Sequence, residues 1–209
     1  MQLIANLTWR YATKKFDACK KISDEQLSCL KEAIRLSASS YGLQLYKVLI
    51  VSDPEIKKQI QPFFWQQSQI VDCSHLFIFC SYKNYHDNYV DDYIELVTAE
   101  QELEHAKLEG YGTFIKGKVS EKEPTEQAAW LERQPYLAVS NLIMACAEQR
   151  IDTCPMEGFN ADDINSFFHL DRKNLNAVVM VAVGYRSEDD KTQHRKKVRK
   201  AEKDLFEML

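Results

Sequence analysis

Apolar positions recur along this chain with two different periods. Ser23 stands three residues ahead of Gln26, the spacing of a capping box, and Leu27, Leu30, Ala33, Ile34 and Leu36 then fall on one side of a helix. Small residues with local hydrogen-bonding groups, Ser37-Ala38-Ser39-Ser40-Tyr41-Gly42, end it. Tyr46 to Val51 predicts a strand, halted by Ser52-Asp53-Pro54. Residues 55–71 predict one or two helices, with Gln66, Gln67 and Gln69 beside Trp65. The unbroken run His75-Leu76-Phe77-Ile78-Phe79-Cys80 predicts a strand buried on both faces. From Tyr82 to Glu123 the chain turns polar, acidic and aromatic, which predicts a helical excursion from the core.

Gln127 to Ala147 carries the longest apolar pattern, with Trp130, Leu131, Leu137, Val139, Leu142 and Ile143 on several sides at once. A helix apolar nearly all round is expected to be packed on several sides. Pro135 is expected to kink it or to open its second part, because a mid-helix proline costs about 3 kcal/mol. Behind it, Asp152 to Phe159 holds a Pro and a Gly three residues apart, which predicts a tight turn able to present backbone N–H groups to a ligand. Asp162 to Phe168 reads as a short helix and Ala177 to Gly184 as a buried strand. Three clear strands among many helices predict an α/β (α+β) fold. A mixed sheet is wrapped by helices in one domain, residues 1–209, with a helical excursion at 82–123.

Composition narrows the function. Hydrophobic residues make up 45% and charged residues 28%, ample for a core. A net charge of −4 argues against nucleic acid as the main partner. The longest apolar runs fall short of a membrane span, and the first residues lack the basic and apolar segments of a signal peptide, so a cytoplasmic location is expected. Six cysteines without CxxC spacing read as reduced, buried thiols, and five scattered histidines give no metal-type spacing.

Two cationic clusters, Arg10–Lys15 and Arg195–Lys200, flank this acidic chain. Each alone reads as a solvated face; together they would suit a phosphate, which needs two or three convergent cations where no Gly-rich loop supplies donors. Neither GxGxxG nor GxxxxGK[ST] occurs. Ser39 and Ser40 are either turn residues or polar contacts to a bound ring or phosphate, and the Gln44 amide is either a surface group or a partner for a heterocycle edge. Glu157-Gly158 is either an ordinary turn or the ligand-facing end of the long helix's return. No Ser/His/Asp or Cys/His spacing marks a nucleophile.

Four segments, in order and in register, resemble the nitroreductase family: Trp9 to Asp17, Ser37 to Gln44, Pro155 to Phe159, and Lys197-Val198-Arg199. The resemblance covers essentially the whole chain. It implies an FMN-dependent NAD(P)H oxidoreductase, a homodimer with FMN at the interface and the long helix as a main dimer contact. It implies Arg10, Lys197 and Arg199 at the FMN phosphate, with Tyr11 and Ala12 on the same loop. Lys14 would face the pyrimidine edge, and Ser39, Ser40, Gly42 and Gln44 would come from the other subunit. Pro155, Met156, Glu157 and Gly158 would lie at flavin N5. Gln66 and Gln69 stand where many members have Asn and Lys, and losing that lysine's charge implies a flavin less easily reduced. Hydride would pass from NAD(P)H to the flavin and then to a nitroaromatic, quinone or similar acceptor by ping-pong exchange. The rival reading is a flavin carrier or sensor without turnover.

Overall fold

The computed structural model describes residues 2–209. Helices α1 (Gln2–Trp9) and α2 (Asp24–Arg35) lead into strand β1 (Tyr46–Val51). Short helices α3 (Pro54–Ile60) and α4 (Gln69–Asp72) precede β2 (His75–Tyr82). Two longer helices, α5 (Asn88–Gln101) and α6 (Glu109–Ser120), occupy the 82–123 stretch read as an excursion. Then come α7 (Pro124–Glu148), β3 (Asp152–Met156), α8 (Ala161–Phe167), β4 (Leu175–Gly184) and a last turn, α9 (Glu202–Leu205). The capping box read from Ser23 and Gln26 is present in both directions, at 3.2 Å and 2.9 Å.

The strands lie in the order β1-β2-β4-β3, every neighbouring pair antiparallel. The parallel element of this mixed α/β fold is a single bridge, Ala12 to Thr153, along the free side of β3. β2 is buried on both faces, as its sequence predicts: Leu76, Ile78 and Cys80 enter one core with α3, α4 and α8, and Phe77 and Phe79 the other, beneath α2 and α7. Fully burying each such side chain stabilises the fold by about 1.5–3 kcal/mol. β4 changes face partway. Ala177 belongs to the first core, Val179 and Val181 to the second, and Val178 between them has no partner opposite the Phe79/Cys80 step. One bulged residue inverts the alternation on either side of it.

Two expectations are corrected. Asp152 to Met156 is a strand rather than part of a tight turn. Pro155 is tolerated because β3 is an edge strand, where a missing N–H leaves no ladder bond unmade. Helix α7 is also not enclosed: Tyr136 is 40% and Leu137 55% exposed, on a face that continues through Ser140. Pro135 lies inside one continuous helix, and the Gln134 amide donates to the Trp130 carbonyl at 2.9 Å beside the interrupted ladder. Four of the six cysteines are buried, whereas Cys19 and Cys29 are exposed.

The excursion closes over its own small core of Val90, Ile94, Ile115 and Val119, joined by Tyr41, Leu43, Tyr93 and Trp130. It therefore rests on the 39–44 loop and the start of α7.

Candidate functional site

Beyond α1 the chain runs along the open edge of β3. Thr13 N–H donates to the Thr153 carbonyl at 3.1 Å, and Phe16 bridges to Arg186. This loop is held by one carboxylate, Asp190, which is 3% exposed. It accepts from the backbone N–H groups of Lys14 (2.8 Å), Lys15 (3.3 Å) and Thr192 (2.9 Å) and from the Tyr11 hydroxyl (2.9 Å). Burial alone would raise its pKa, but the hydrogen bonds from Thr192, Lys14 and Tyr11 outweigh that and hold it at about 2. The Tyr11 hydroxyl is pushed up to about 12, by burial first and then by its bond to Asp190. Beside it, buried Asp152 pairs with Arg186 at 2.6 Å, and the guanidinium stacks on Trp9 (4.4 Å) and Tyr11 (4.6 Å).

Arg10, Tyr11, Ala12, Lys14, Lys197 and Arg199 line one cleft of about 420 Å³, so the two cationic clusters do converge. Arg10 Nε is buried without a partner. Lys197 Nζ donates to the carbonyls of Leu7 (2.7 Å) and Arg10. Burial, and then the charge of Arg199, lower the Arg10 pKa; burial, then Arg10 and Arg199, lower that of Lys197. Among the described residues no carboxylate pairs with Arg10, Lys14, Lys197 or Arg199. Cations crowded together without counterions, one with an orphaned donor, have the chemistry that a multiply charged anion needs.

Lys14, in the lining of this cleft, reaches β3. Lys14 Nζ lies 4.0 Å from the Cys154 sulfur. Burial raises the Cys154 pKa, while Lys14, Arg10 and a hydrogen bond with the Gln69 side chain oppose that. Gln69, 6% exposed, therefore meets Lys14 across Cys154, whereas Gln66 is exposed and turned outward. Met156 is buried in the core and offers only its backbone to this side. Pro155 is partly exposed, and Glu157 and Gly158 follow at the surface. The Tyr136 hydroxyl donates to Glu157 Oε1 at 2.5 Å; burial first, then that carboxylate, push its pKa up to about 12. A Cβ built on Gly158 would lie 2.9 Å from the Trp65 ring.

Ser39, Ser40, Gly42 and Gln44 do not join this cleft within one chain. Gly42 and Gln44 border a separate hollow of about 200 Å³ under the excursion. Ser39 Oγ accepts from Gln44 N–H (2.9 Å), Ser40 Oγ accepts from the Trp130 indole (3.1 Å), and the Gln44 amide donates to the Arg35 carbonyl (2.8 Å). Gly42 has φ +79, and a Cβ there would sit 2.6 Å from the Tyr93 hydroxyl, so glycine answers both the turn and the neighbour. Sequence reasoning missed Asp190, the Asp152–Arg186 pair and Cys154. Asp190 had one weak signal, an acid at the mouth of a basic tail; the others depend on strand pairing across distant segments.

The description of the nitroreductase family matches residues 7–185. The chain belongs to the nitroreductase family. It is 30% identical to the major NAD(P)H-flavin oxidoreductase of Aliivibrio fischeri, covering 99% of this chain and 98% of that protein. It is 31% identical to a Staphylococcus epidermidis protein provisionally named an NAD(P)H nitroreductase, over 96% of this chain and 94% of the other. A protein of Exiguobacterium sibiricum solved in complex with FMN shares the fold, with a TM-score of 0.85 at 16% identity over 99% of this chain and 97% of that one. The fold of this nitroreductase-family chain is thus shared well beyond its sequence similarity.

Proposed function

We propose that this protein is an FMN-dependent oxidoreductase that passes reducing equivalents from NAD(P)H to an electron-poor organic acceptor, a nitroaromatic or a quinone, by ping-pong exchange. The observation that carries the reading is the cleft in which Arg10, Lys197 and Arg199 converge without a carboxylate. The orphaned Arg10 Nε, and the pKa values of Arg10 and Lys197 lowered by burial first and by neighbouring cations second, fit a phosphate dianion. The flavin, when bound, supplies the hydride chemistry.

The chain's own groups then have separable tasks. Arg10, Lys197 and Arg199 hold the phosphate. Asp190 fixes the backbone of the Tyr11–Lys15 loop, so that the exposed Lys14 side chain reaches Cys154 and, through it, Gln69. The edge of β3 and the Glu157–Gly158 segment bring backbone groups to the same region. No side-chain nucleophile is required. Family resemblance supplies the remaining element, a second copy whose Ser39, Ser40, Gly42 and Gln44 close the site. The exposed apolar side chains Leu3, Ile4 and Leu7 on α1, and Tyr136 and Leu137 on α7, support that assembly. No described helix is long and apolar enough to cross a membrane.

Absorbance between 300 and 600 nm, before and after anaerobic NADPH, tests the reading. Two flavin bands that bleach on addition, together with menadione-dependent NADPH oxidation, are expected. Bands that do not bleach with either nicotinamide nucleotide would leave only a flavin carrier. In apoprotein, R10A and K197A should each weaken FMN by about tenfold or more, the worth of a charge-assisted hydrogen bond, yet leave riboflavin binding unchanged.

A further inference from the structure

Trp65 is the one large ring near this site whose placement the proposed function does not use. It is 68% exposed, a costly position for the largest aromatic side chain. Its backbone is left-handed, with φ 52° and ψ 43°, and that of Gln66 is left-handed as well, with φ 61°. Two consecutive non-glycine residues in this region persist only where the surroundings enforce them, and such strain gathers at functional sites.

The surroundings do enforce it. Trp65 N–H donates to the Pro62 carbonyl (3.2 Å), Gln67 N–H to Phe64 (3.2 Å), and the Gln61 amide to the Gln66 carbonyl (3.4 Å). Asn160 N–H donates to the Phe63 carbonyl at 2.9 Å, and buried Phe64 packs on Phe159 with ring centroids 5.7 Å apart. The base is therefore rigid and tied to the 157–160 segment, while the indole itself stands free. Its edge rests on bare Gly158, where any side chain would collide at 2.9 Å. A tryptophan serving the core would be turned inward; this one covers a glycine of the Glu157–Gly158 segment and leaves most of its ring open.

We propose that the Trp65 indole is the wall on which this protein selects planar, electron-poor aromatic acceptors, a specificity role that rests on the oxidoreductase reading above. An electron-rich indole stacks offset on nitroaromatic and quinone rings, whose faces are electron-poor. A non-planar aliphatic ligand offers no such face. Glycine at 158 lets the edge of the ring come up against the segment expected beside the reacting centre, so the wall and the site share one boundary.

The test uses the FMN-loaded, oxidised protein without NADPH, so that binding is read apart from turnover. Calorimetric titration compares 4-nitrobenzoate with cyclohexanecarboxylate, which carries the same charge on a non-planar ring. W65A is expected to weaken 4-nitrobenzoate about tenfold and cyclohexanecarboxylate less than about twofold, while W65F stays within about threefold of the parent for both. In turnover at saturating NADPH, W65A should raise the KM for menadione more than it lowers kcat. Equal losses for both carboxylates, or no loss for 4-nitrobenzoate, would overturn the proposal. Should W65A fail to retain FMN, W65L decides on the same two ligands. Parent protein that binds no FMN overturns the oxidoreductase reading and this proposal with it; FMN-loaded W65A that matches the parent overturns this proposal alone.

Discussion

Asp190 is the residue whose removal tests the architecture of the site most directly. Its carboxylate receives hydrogen bonds from three backbone N–H groups and the Tyr11 and Thr192 side chains, and its pKa falls from 3.8 to about 2. A folded-state pKa below the unfolded value means that the ionised form stabilises the fold. That contribution is fully present above about pH 4 and is lost as the pH falls through about 2. A depression of this size is worth about 2 kcal/mol at pH 7 and about 1 kcal/mol at pH 3. D190N keeps the shape, but it removes the charge and turns an NH2 toward groups that are themselves donors, leaving at least one buried N–H unmatched. That adds a cost of about 1–3 kcal/mol. Urea unfolding at pH 7 should therefore show D190N less stable by about 3–5 kcal/mol, with the gap narrowing by about 1 kcal/mol at pH 3. FMN binding should weaken as well, because the Lys14 loop loses its anchor. A gap under about 0.5 kcal/mol at pH 7, or one that widens at pH 3, refutes the reasoning.

Three further outcomes are expected. G42A forces a left-handed alanine and a Cβ 2.6 Å from the Tyr93 hydroxyl, so thermal unfolding should show a loss of about 1–3 kcal/mol; adding Y93F, which deletes that oxygen, should recover part of it. L137D places a charge on the exposed face of α7 and should leave the melting of the monomer unchanged while shifting sedimentation from dimer to monomer; a dimer that persists in L137D removes α7 from the interface. Q69K adds a cation beside Cys154 and Lys14, and spectroelectrochemical titration should give a higher flavin midpoint potential than the parent; an equal or lower one refutes the electrostatic account of Gln69.

Much of the fold was legible because local signals and tertiary demand agree. Ser23 and Gln26 cap α2 whatever else happens, and the run from His75 to Cys80 has no polar face to show to water, so a doubly covered strand is its only economical place. Where the reading failed, the deciding partner was distant. Thr153 and Pro155 look like turn residues until β4, nearly thirty residues later, pairs with them and makes their segment an edge strand. The face of α7 bearing Tyr136 and Leu137 is apolar in sequence, and one chain gives it nothing to pack against. Periodicity reports that a face is apolar; it does not report which molecule covers it.

The same distinction governs the site. The cations at positions 10, 14, 197 and 199 were visible as charge, and charge density alone is also what a solvated surface looks like. What separates the two is the lack of counterions, and that follows from where the carboxylates went. Asp190 faces backbone N–H groups, Asp152 is engaged by Arg186, and Asp189 by Lys15. Each of these acids is occupied away from Arg10, Lys197 and Arg199. The acids hold backbone and structural cations in place, and Arg10, Lys197 and Arg199 are left without a carboxylate, as the proposed phosphate site requires. The cost is visible in the lowered pKa values of Arg10 and Lys197, which a bound phosphate would reverse. A surface patch has no reason to carry that cost; a binding site does.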